Sequence, residues 1–352
     1  MRSAAVSPIP APGIALALAV LAACAVDGPE PAYIDDFADR SPTLACSVAE
    51  IAGPPASVVR LKSVNDSLLA AIADGDREIL LLDHDLVVRR RVRWEEEGPS
   101  ALVDPVDVEL VGDTLLVVAE RGRGRLTFLD VQGLPRGSLP LGFAPHRLLR
   151  DGDGWLVSAV PLAPTQAEIL FRVTGEDVEG MGIPPVHEAV IQLKALANST
   201  VLERMRGGRL VVAHQYLVPR AHLLDLRPGG GRPLAVRDVA TPLPEGVREA
   251  VGFRPEPPFT DEMMRRIPTP VLEAAPDPVG GGMLYLTRSG RMSGDFWEKA
   301  LVRVDADMNY LASWVFPVNV GPFAYLPSRN EVLAVAEDER WYRCPLPTGG
   351  GT

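Results

Sequence analysis

No apolar run in this chain is long enough to carry a helix across a bilayer. The uncharged stretch from Gly13 to Ala23 stops well short of the roughly 20 residues a span requires, and no later run does better. Familiar catalytic signatures are missing too: there is no G-x-S-x-G elbow, no G-x-x-x-x-G-K-[ST] loop, no H-E-x-x-H and no paired-cysteine metal motif. Positive charge is in deficit, with 35 Lys and Arg against 46 Asp and Glu, a formal net charge of −11. That balance argues against nucleic acid and against a polybasic membrane contact. Only three cysteines occur in 352 residues: Cys24, Cys46 and Cys344.

What is present begins with an export signal. One arginine, a short apolar core and small residues lead to a cysteine, the layout of a signal sequence. The end of the segment, Leu21-Ala22-Ala23-Cys24, resembles the lipobox of bacterial lipoproteins; an ordinary signal peptide with a chance cysteine is the alternative. The resemblance implies removal of residues 1–23, lipidation of Cys24, and, since Ala25 rather than aspartate follows, sorting to the outer membrane, facing the periplasm or the surface. Cleavage would remove only Arg2, leaving a charge of about −12. Residues 24–42 are acidic, rich in turn formers and without periodicity, which suits a flexible tether. The lipid would then be the only membrane contact.

Beyond the tether the chain repeats. Short apolar strands ending in a small residue recur as SLLAAIAD, DTLLVVAE, GWLVSAVP, RLVVAHQY, MLYLTRSG and EVLAVAED. Their matching positions Ala73, Ala119, Ala159, Ala213, Thr287 and Ala336 are spaced by 46, 40, 54, 74 and 49 residues. A four-stranded propeller blade takes roughly 40 to 50. A strand after a Pro- or Asn-containing turn precedes each, and the next strand often ends in aspartate, at Asp83, Asp130, Asp225 and Asp305, where a hairpin is expected. In LVVRRRVRWE, Leu86, Val88, Val92 and Trp94 are expected on one face and Arg89, Arg91, Arg93 and Glu95 on the other, an edge strand protected by charge. The expectation is an all-β, six-bladed β-propeller of four-stranded antiparallel blades over 43–348. The 74-residue spacing reflects an insertion at about 243–278 between blades four and five, which holds most of the nine prolines between Thr241 and Gly280 and one helical turn at Asp261 to Arg266; a degenerate seventh blade is the alternative. A smaller insertion, HEAVIQLKALAN, has helix-like spacing.

The sequences VVAERGRGRLTFLD, AAIADGDREILLLD and, less completely, AVAEDERWYRC resemble NHL-type six-bladed propellers, many of which are uncharacterised bacterial lipoproteins. Blades three and five depart from the pattern, with Val160 and Arg288 in place of its acidic residue. Blade symmetry places Asp74, Glu120, His214, Arg288 and Glu337 at equivalent points on one rim, and His146 and Arg147 at the start of an inner strand facing the channel. These seven are the candidate ligand-binding residues; no catalytic residue and no metal site is assigned. Two readings stand side by side. The acids line a polar mouth, with a calcium or zinc ion held among Glu120, His214 and Glu337 as its most ambitious form; or Asp74, Glu120 and Glu337 cap turns and pair with Arg77, Arg125 and Arg340.

Propellers commonly close by taking a missing strand from the other end of the chain, and TLACSVAEIA at 43–52 is available to complete the last blade. With Cys24 lipidated, Cys46 and Cys344 are the remaining thiols in an exported protein, so they are expected to bridge; two buried free cysteines are the alternative. Functionally, the residues favour a monomeric, non-enzymatic scaffold binding a small molecule or an envelope protein, with no cofactor. A channel-centred hydrolase or lactonase using calcium or zinc, and a purely structural envelope component, are the other readings.

Overall fold

The computed structural model describes residues 33–34, 37–95, 97–98, 101–163, 165–188, 190–226, 233–239, 241–242, 267, 269–293 and 296–347. Cys24 and the expected leader, most of the tether and residues 243–266 lie outside them, so those expectations are untouched. The chain is a six-bladed β-propeller. Six four-stranded antiparallel sheets follow one another. Their inner strands are Val58–Ser63, Pro105–Val111, Ala144–Asp151, Thr200–Arg204, Glu273–Pro276 and Val320–Leu326. These neighbour one another in that order and back to the first.

The second strands of the blades, such as Leu68–Ala73, Leu115–Glu120 and Glu331–Ala336, are buried almost throughout. They read as continuous apolar runs, without alternation, because each blade is covered on both faces by its neighbours. An apolar cluster fills every gap between successive blades. The gap between last and first is no exception: Leu61, Leu80 and Leu82 meet Leu326, Leu333 and Trp341 there.

The ring is closed as the sequence suggests. Ser47–Ala49 is the outermost strand of the last blade, antiparallel to Trp341–Pro345, and Cys46 is disulfide-bonded to Cys344. The N-terminal segment does more than this. Tyr33–Ile34 pairs in parallel with Thr241–Pro242 after blade four. Phe37, in the helical turn Phe37–Arg40, is buried in the cluster between blades four and five, and Leu44 N donates to Val315 O at 2.8 Å on the edge of blade five. Residues 37–42, expected in the tether, therefore belong to the packed domain: one buried aromatic and the Ser41–Ser313 hydroxyl contact at 2.7 Å fix them.

One other boundary moves, and one strand face divides. The insertion expected over 243–278 ends earlier, because Glu273–Pro276 is the inner strand of blade five and Val271 already lies in the core. In the RRR strand a bulge between the pairs Leu81–Arg90 and Leu82–Val88 splits the expected apolar face. Leu86 and Val88 turn toward blade six while Val92 and Trp94 turn toward blade two, since one extra residue inverts a period of two. The arginines stay at the edge, Arg91 and Arg93 pairing with Glu78.

Three of the four marked aspartates share one hairpin geometry. In each, Oδ1 accepts two backbone N–H groups: Asp85 and Val87 for Asp83, Gln132 and Leu134 for Asp130, Asp307 and Asn309 for Asp305, all between 2.8 and 3.0 Å. The residue three positions on takes a positive φ in every case, Leu86, Gly133 and Met308. The helix-like spacing near 187–198 is the helix Ile191–Ala197. It packs with Leu217 and Ile267 in a small cluster of its own. No helix among the described residues is long and apolar enough to cross a membrane.

Candidate functional site

The inner strands carry charge where an ordinary core would be apolar. Arg60 and Lys62 come from blade one, Asp107 and Glu109 from blade two, Arg147 from blade three, Glu203 from blade four and Glu273 from blade five, and all seven are buried. Arg60 is the hub: Nε contacts Asp107 at 3.0 Å, Nη1 pairs with Glu273 and Nη2 lies 3.6 Å from Glu203. Lys62 Nζ donates to Glu109 at 2.8 Å and to Leu148 O at 3.1 Å, while Leu148 N donates to Asp107 at 2.8 Å. Arg147 reaches Glu273 at 3.4 Å. The channel is thus crossed by an ionic lattice joining five blades.

Burial and charge compete at each of these groups. Burial alone would raise the Asp107 pKa, but Arg60, Lys62 and Arg147 outweigh it and hold the carboxyl well below its usual range. Burial lowers the Lys62 pKa, and Asp107 with Glu109 more than restores it. At Glu203 burial wins over Lys62 and Arg60, and the carboxyl is pushed up to about 7 from 4.5. The native state then holds a proton that the unfolded chain releases, so wild-type stability falls as pH rises from about 4.5 to 7 and levels off above. Glu203→Gln is expected to stabilise the domain by up to about 3 kcal/mol at pH 8 and to change little at pH 4. Urea melts of both proteins at pH 4, 6 and 8 check this; a gain independent of pH would contradict it.

At one end of the channel, where the inner strands begin, a cavity of about 480 Å³ is lined by Asp74, His146, Arg147, Gln215, Lys299 and Glu337, with an Arg121–Asp104 ion pair at its side. Gln215 is oriented by its amide, whose nitrogen donates to Leu272 O at 2.6 Å. Its oxygen therefore accepts from His146 Nε2 at 2.6 Å, which leaves Nδ1 as the bare, unprotonated nitrogen. That Nδ1 is buried without a hydrogen-bond partner among the described residues. Burial, reinforced by Arg147, holds the imidazole well below its ordinary pKa, so it stays neutral. Burial and then Arg288 draw the Lys299 ammonium down to about 8.

Four of the seven expected rim residues, Asp74, His146, Arg147 and Glu337, thus meet at this cavity. The other three do not line it. Glu120 turns back into its own blade, where its carboxylate accepts from Val103 N at 2.9 Å, Arg125 Nε at 2.6 Å and the Thr127 hydroxyl. His214 is captured by the short helix: Nδ1 donates to Ala197 O at 2.7 Å and Nε2 lies 3.3 Å from His222 Nε2, with burial drawing both rings down to about 4. Arg288 donates to Ile267 O at 3.0 Å. The structural pairing holds for Glu120 with Arg125, whereas Arg340 pairs with Asp338. Glu120, His214 and Glu337 do not converge on a cation, and no group of three His, Cys, Asp or Glu among the described residues is placed to hold a metal.

Sequence reasoning passed over Arg60, Lys62, Asp107, Glu109, Glu203 and Glu273. The signal was there: Arg60 and Asp107, like Lys62 and Glu109, are opposite charges 47 positions apart, close to one blade repeat.

No family model and no curated protein sequence matches the chain. Solved structures do. A member of the DUF4221 family from Bacteroides vulgatus superposes with a TM-score of 0.60 at 9% identity, over 87% of this chain and 96% of that one. The Xanthomonas campestris protein described as a gluconolactonase gives 0.53 at 13% identity, over 91% and 96%. The WD40 repeats of RRP9 give 0.51 at 12% identity, over 87% and 99%. At these identities the likeness establishes the propeller fold.

Proposed function

We propose that this chain is an exported, lipid-anchored propeller of the outer membrane that acts as a monomeric, non-catalytic binding module, holding a small polar ligand in the cavity at the start of the inner strands. The observation that carries the reading is His146: a buried neutral imidazole, locked by Gln215, that lines that cavity with Lys299 and Arg147 and whose Nδ1 has no hydrogen-bond partner among the described residues. A buried acceptor without a donor is costly, and a ligand hydroxyl or N–H would satisfy it. Lys299 and Arg147 suit a carboxylate on the same ligand. The Leu21-Ala22-Ala23-Cys24 motif supports the lipid anchor. Three carboxylates deeper in the channel, Asp107, Glu109 and Glu273, are engaged by Arg60, Lys62 and Arg147, which disfavours the calcium or zinc hydrolase reading.

In a thermal-shift panel of small hydroxy-carboxylates, the ligand class is expected to raise the melting temperature by about 5 °C when present at 100 times its Kd. His146→Phe and Lys299→Met should each abolish the shift. Co-purifying calcium or zinc, together with an ester- or lactone-hydrolysing activity lost in Asp74→Ala and Glu337→Ala, would overturn this reading in favour of the hydrolase.

A further inference from the structure

A second cavity, about 490 Å³, opens at the opposite end of the channel, where the inner strands finish. Its walls include Ser63, Arg204 and Pro276, the last residues of their strands, whereas the cavity above is lined by the strand starts. Apolar surface from Leu149, Met205, Phe323 and Tyr325 surrounds two buried carboxylates, Glu109 and Glu203, with Lys62 and the exposed Asp66 also in the lining. Glu109 is satisfied by Lys62. Glu203 is not: its residue is 7% exposed, no hydrogen bond reaches its carboxylate among the described residues, and its nearest cation, Arg60 Nη2, stands 3.6 Å away.

The charge balance of the lattice points the same way. Three cations, Arg60, Lys62 and Arg147, face four carboxylates, Asp107, Glu109, Glu203 and Glu273, and His146 is neutral. Arg60 spends Nε on Asp107 and Nη1 on Glu273, and Lys62 donates to Glu109 and Leu148 O. One negative charge is left over, and Glu203, with only the 3.6 Å contact to Arg60, is the buried carboxylate on the cavity that is least compensated. At the lip, Arg204 is engaged with Asp151 and Arg206 donates to Pro278 O at 3.2 Å, and among the described residues no ion pair joins either to Glu203.

We propose that this cavity binds a primary organic ammonium ion, its N–H groups donating to the Glu203 carboxylate and its apolar body lying along Leu149, Met205, Phe323 and Tyr325. A bound ammonium completes the lattice as a fourth cation. A metal ion would need several oxygen ligands, and the described residues offer no group of three that could serve. An ammonium needs one carboxylate and a wall for its carbon chain. The competing occupant is a proton. Because burial raises the Glu203 pKa to about 7 against Lys62 and Arg60, with Glu273 and Asp107 adding to the rise, ligand and proton exchange near neutral pH.

Isothermal titration with 2-phenylethylamine and with butylamine, against neutral 2-phenylethanol, tests this. Both amines are expected to bind the wild-type protein at pH 8 and to bind about tenfold more weakly at pH 6, following the ionised fraction of Glu203. The alcohol should bind at least tenfold more weakly than its amine at pH 8. Glu203→Gln should abolish amine binding, and Glu203→Asp should keep the pH dependence with lower affinity. Lys299→Met, at the other cavity, should leave amine binding unchanged, which keeps failure of one site distinguishable from failure of the other. The proposal is overturned if neither amine binds at pH 8, if the alcohol binds as tightly, or if affinity is the same at pH 6 and pH 8.

Discussion

Replacing Cys46 or Cys344 by alanine is expected to cost the domain about 2 to 5 kcal/mol, the largest loss available from a single side chain outside the channel. The bridge spans 298 residues of sequence, nearly the whole domain. A crosslink of that span removes so much freedom from the unfolded chain that the loop-entropy relation gives about 6 kcal/mol, an upper figure because unfolded chains retain structure. The native state loses little by comparison. Cys344 sits in the cluster between blades five and six, Cys46 packs against it, and alanine fits both places. Guanidinium melts of each single variant and the double variant should coincide, because either substitution removes the same bond, and wild type melted under reductant should join them. The m-value should rise as the unfolded chain expands. A loss below about 1 kcal/mol would mean that Phe37, Leu44 and the three-residue strand close the ring unaided.

That closure was among the most legible features of the sequence, and the reason is physical. Blade repeats leave their period in the chain, a missing fourth strand leaves a vacancy at one end, and strand exchange across the closure brings the first and last cysteines of the domain onto neighbouring strands. The aspartate hairpins were legible because an Asx turn is local: residue, turn and donors lie within four positions. The site was only partly legible. Repeat symmetry pointed to Asp74 and Glu337, and the start of an inner strand to His146 and Arg147, and these four meet at one cavity, yet equivalent positions do not share equivalent surroundings. Glu120 found Thr127 and Arg125 within its own blade, and His214 found the carbonyl of a helix inserted ahead of blade four. The channel lattice was missed because its contacts join blades. Only the Arg60–Asp107 and Lys62–Glu109 pairs, one repeat apart, could have been read by alignment; Glu203 and Glu273 close the lattice from the far side of the ring.

Arg60→Met tests that lattice, and it is expected to destabilise the domain by about 3 to 5 kcal/mol near neutral pH. The substitution roughly preserves volume, so the cost comes from charge: Asp107, Glu203 and Glu273 stay buried, with only Lys62 and Arg147 left against four carboxylates. Part of the excess will be relieved by protonation, which gives the variant a distinctive pH profile. Removing the guanidinium takes from Asp107 and Glu203 a cation that lowers the pKa of both, so the variant should lose stability more steeply than the wild type as pH rises from about 5 to 8. In the wild type the Asp107 carboxyl is held below its ordinary 3.8, so its contribution is present above that pH and is lost only in stronger acid. The deficit between the two proteins should therefore narrow toward about pH 5 and widen toward about pH 8. A compensated variant separates charge from packing. Adding Glu203→Gln and Glu273→Gln to Arg60→Met leaves two cations and two carboxylates, and should recover most of the lost stability, since a buried ion pair replaced on both sides costs far less than one broken on one side. If the triple variant is no more stable than Arg60→Met alone, the arginine acts by filling the channel, and the charge count carries no weight.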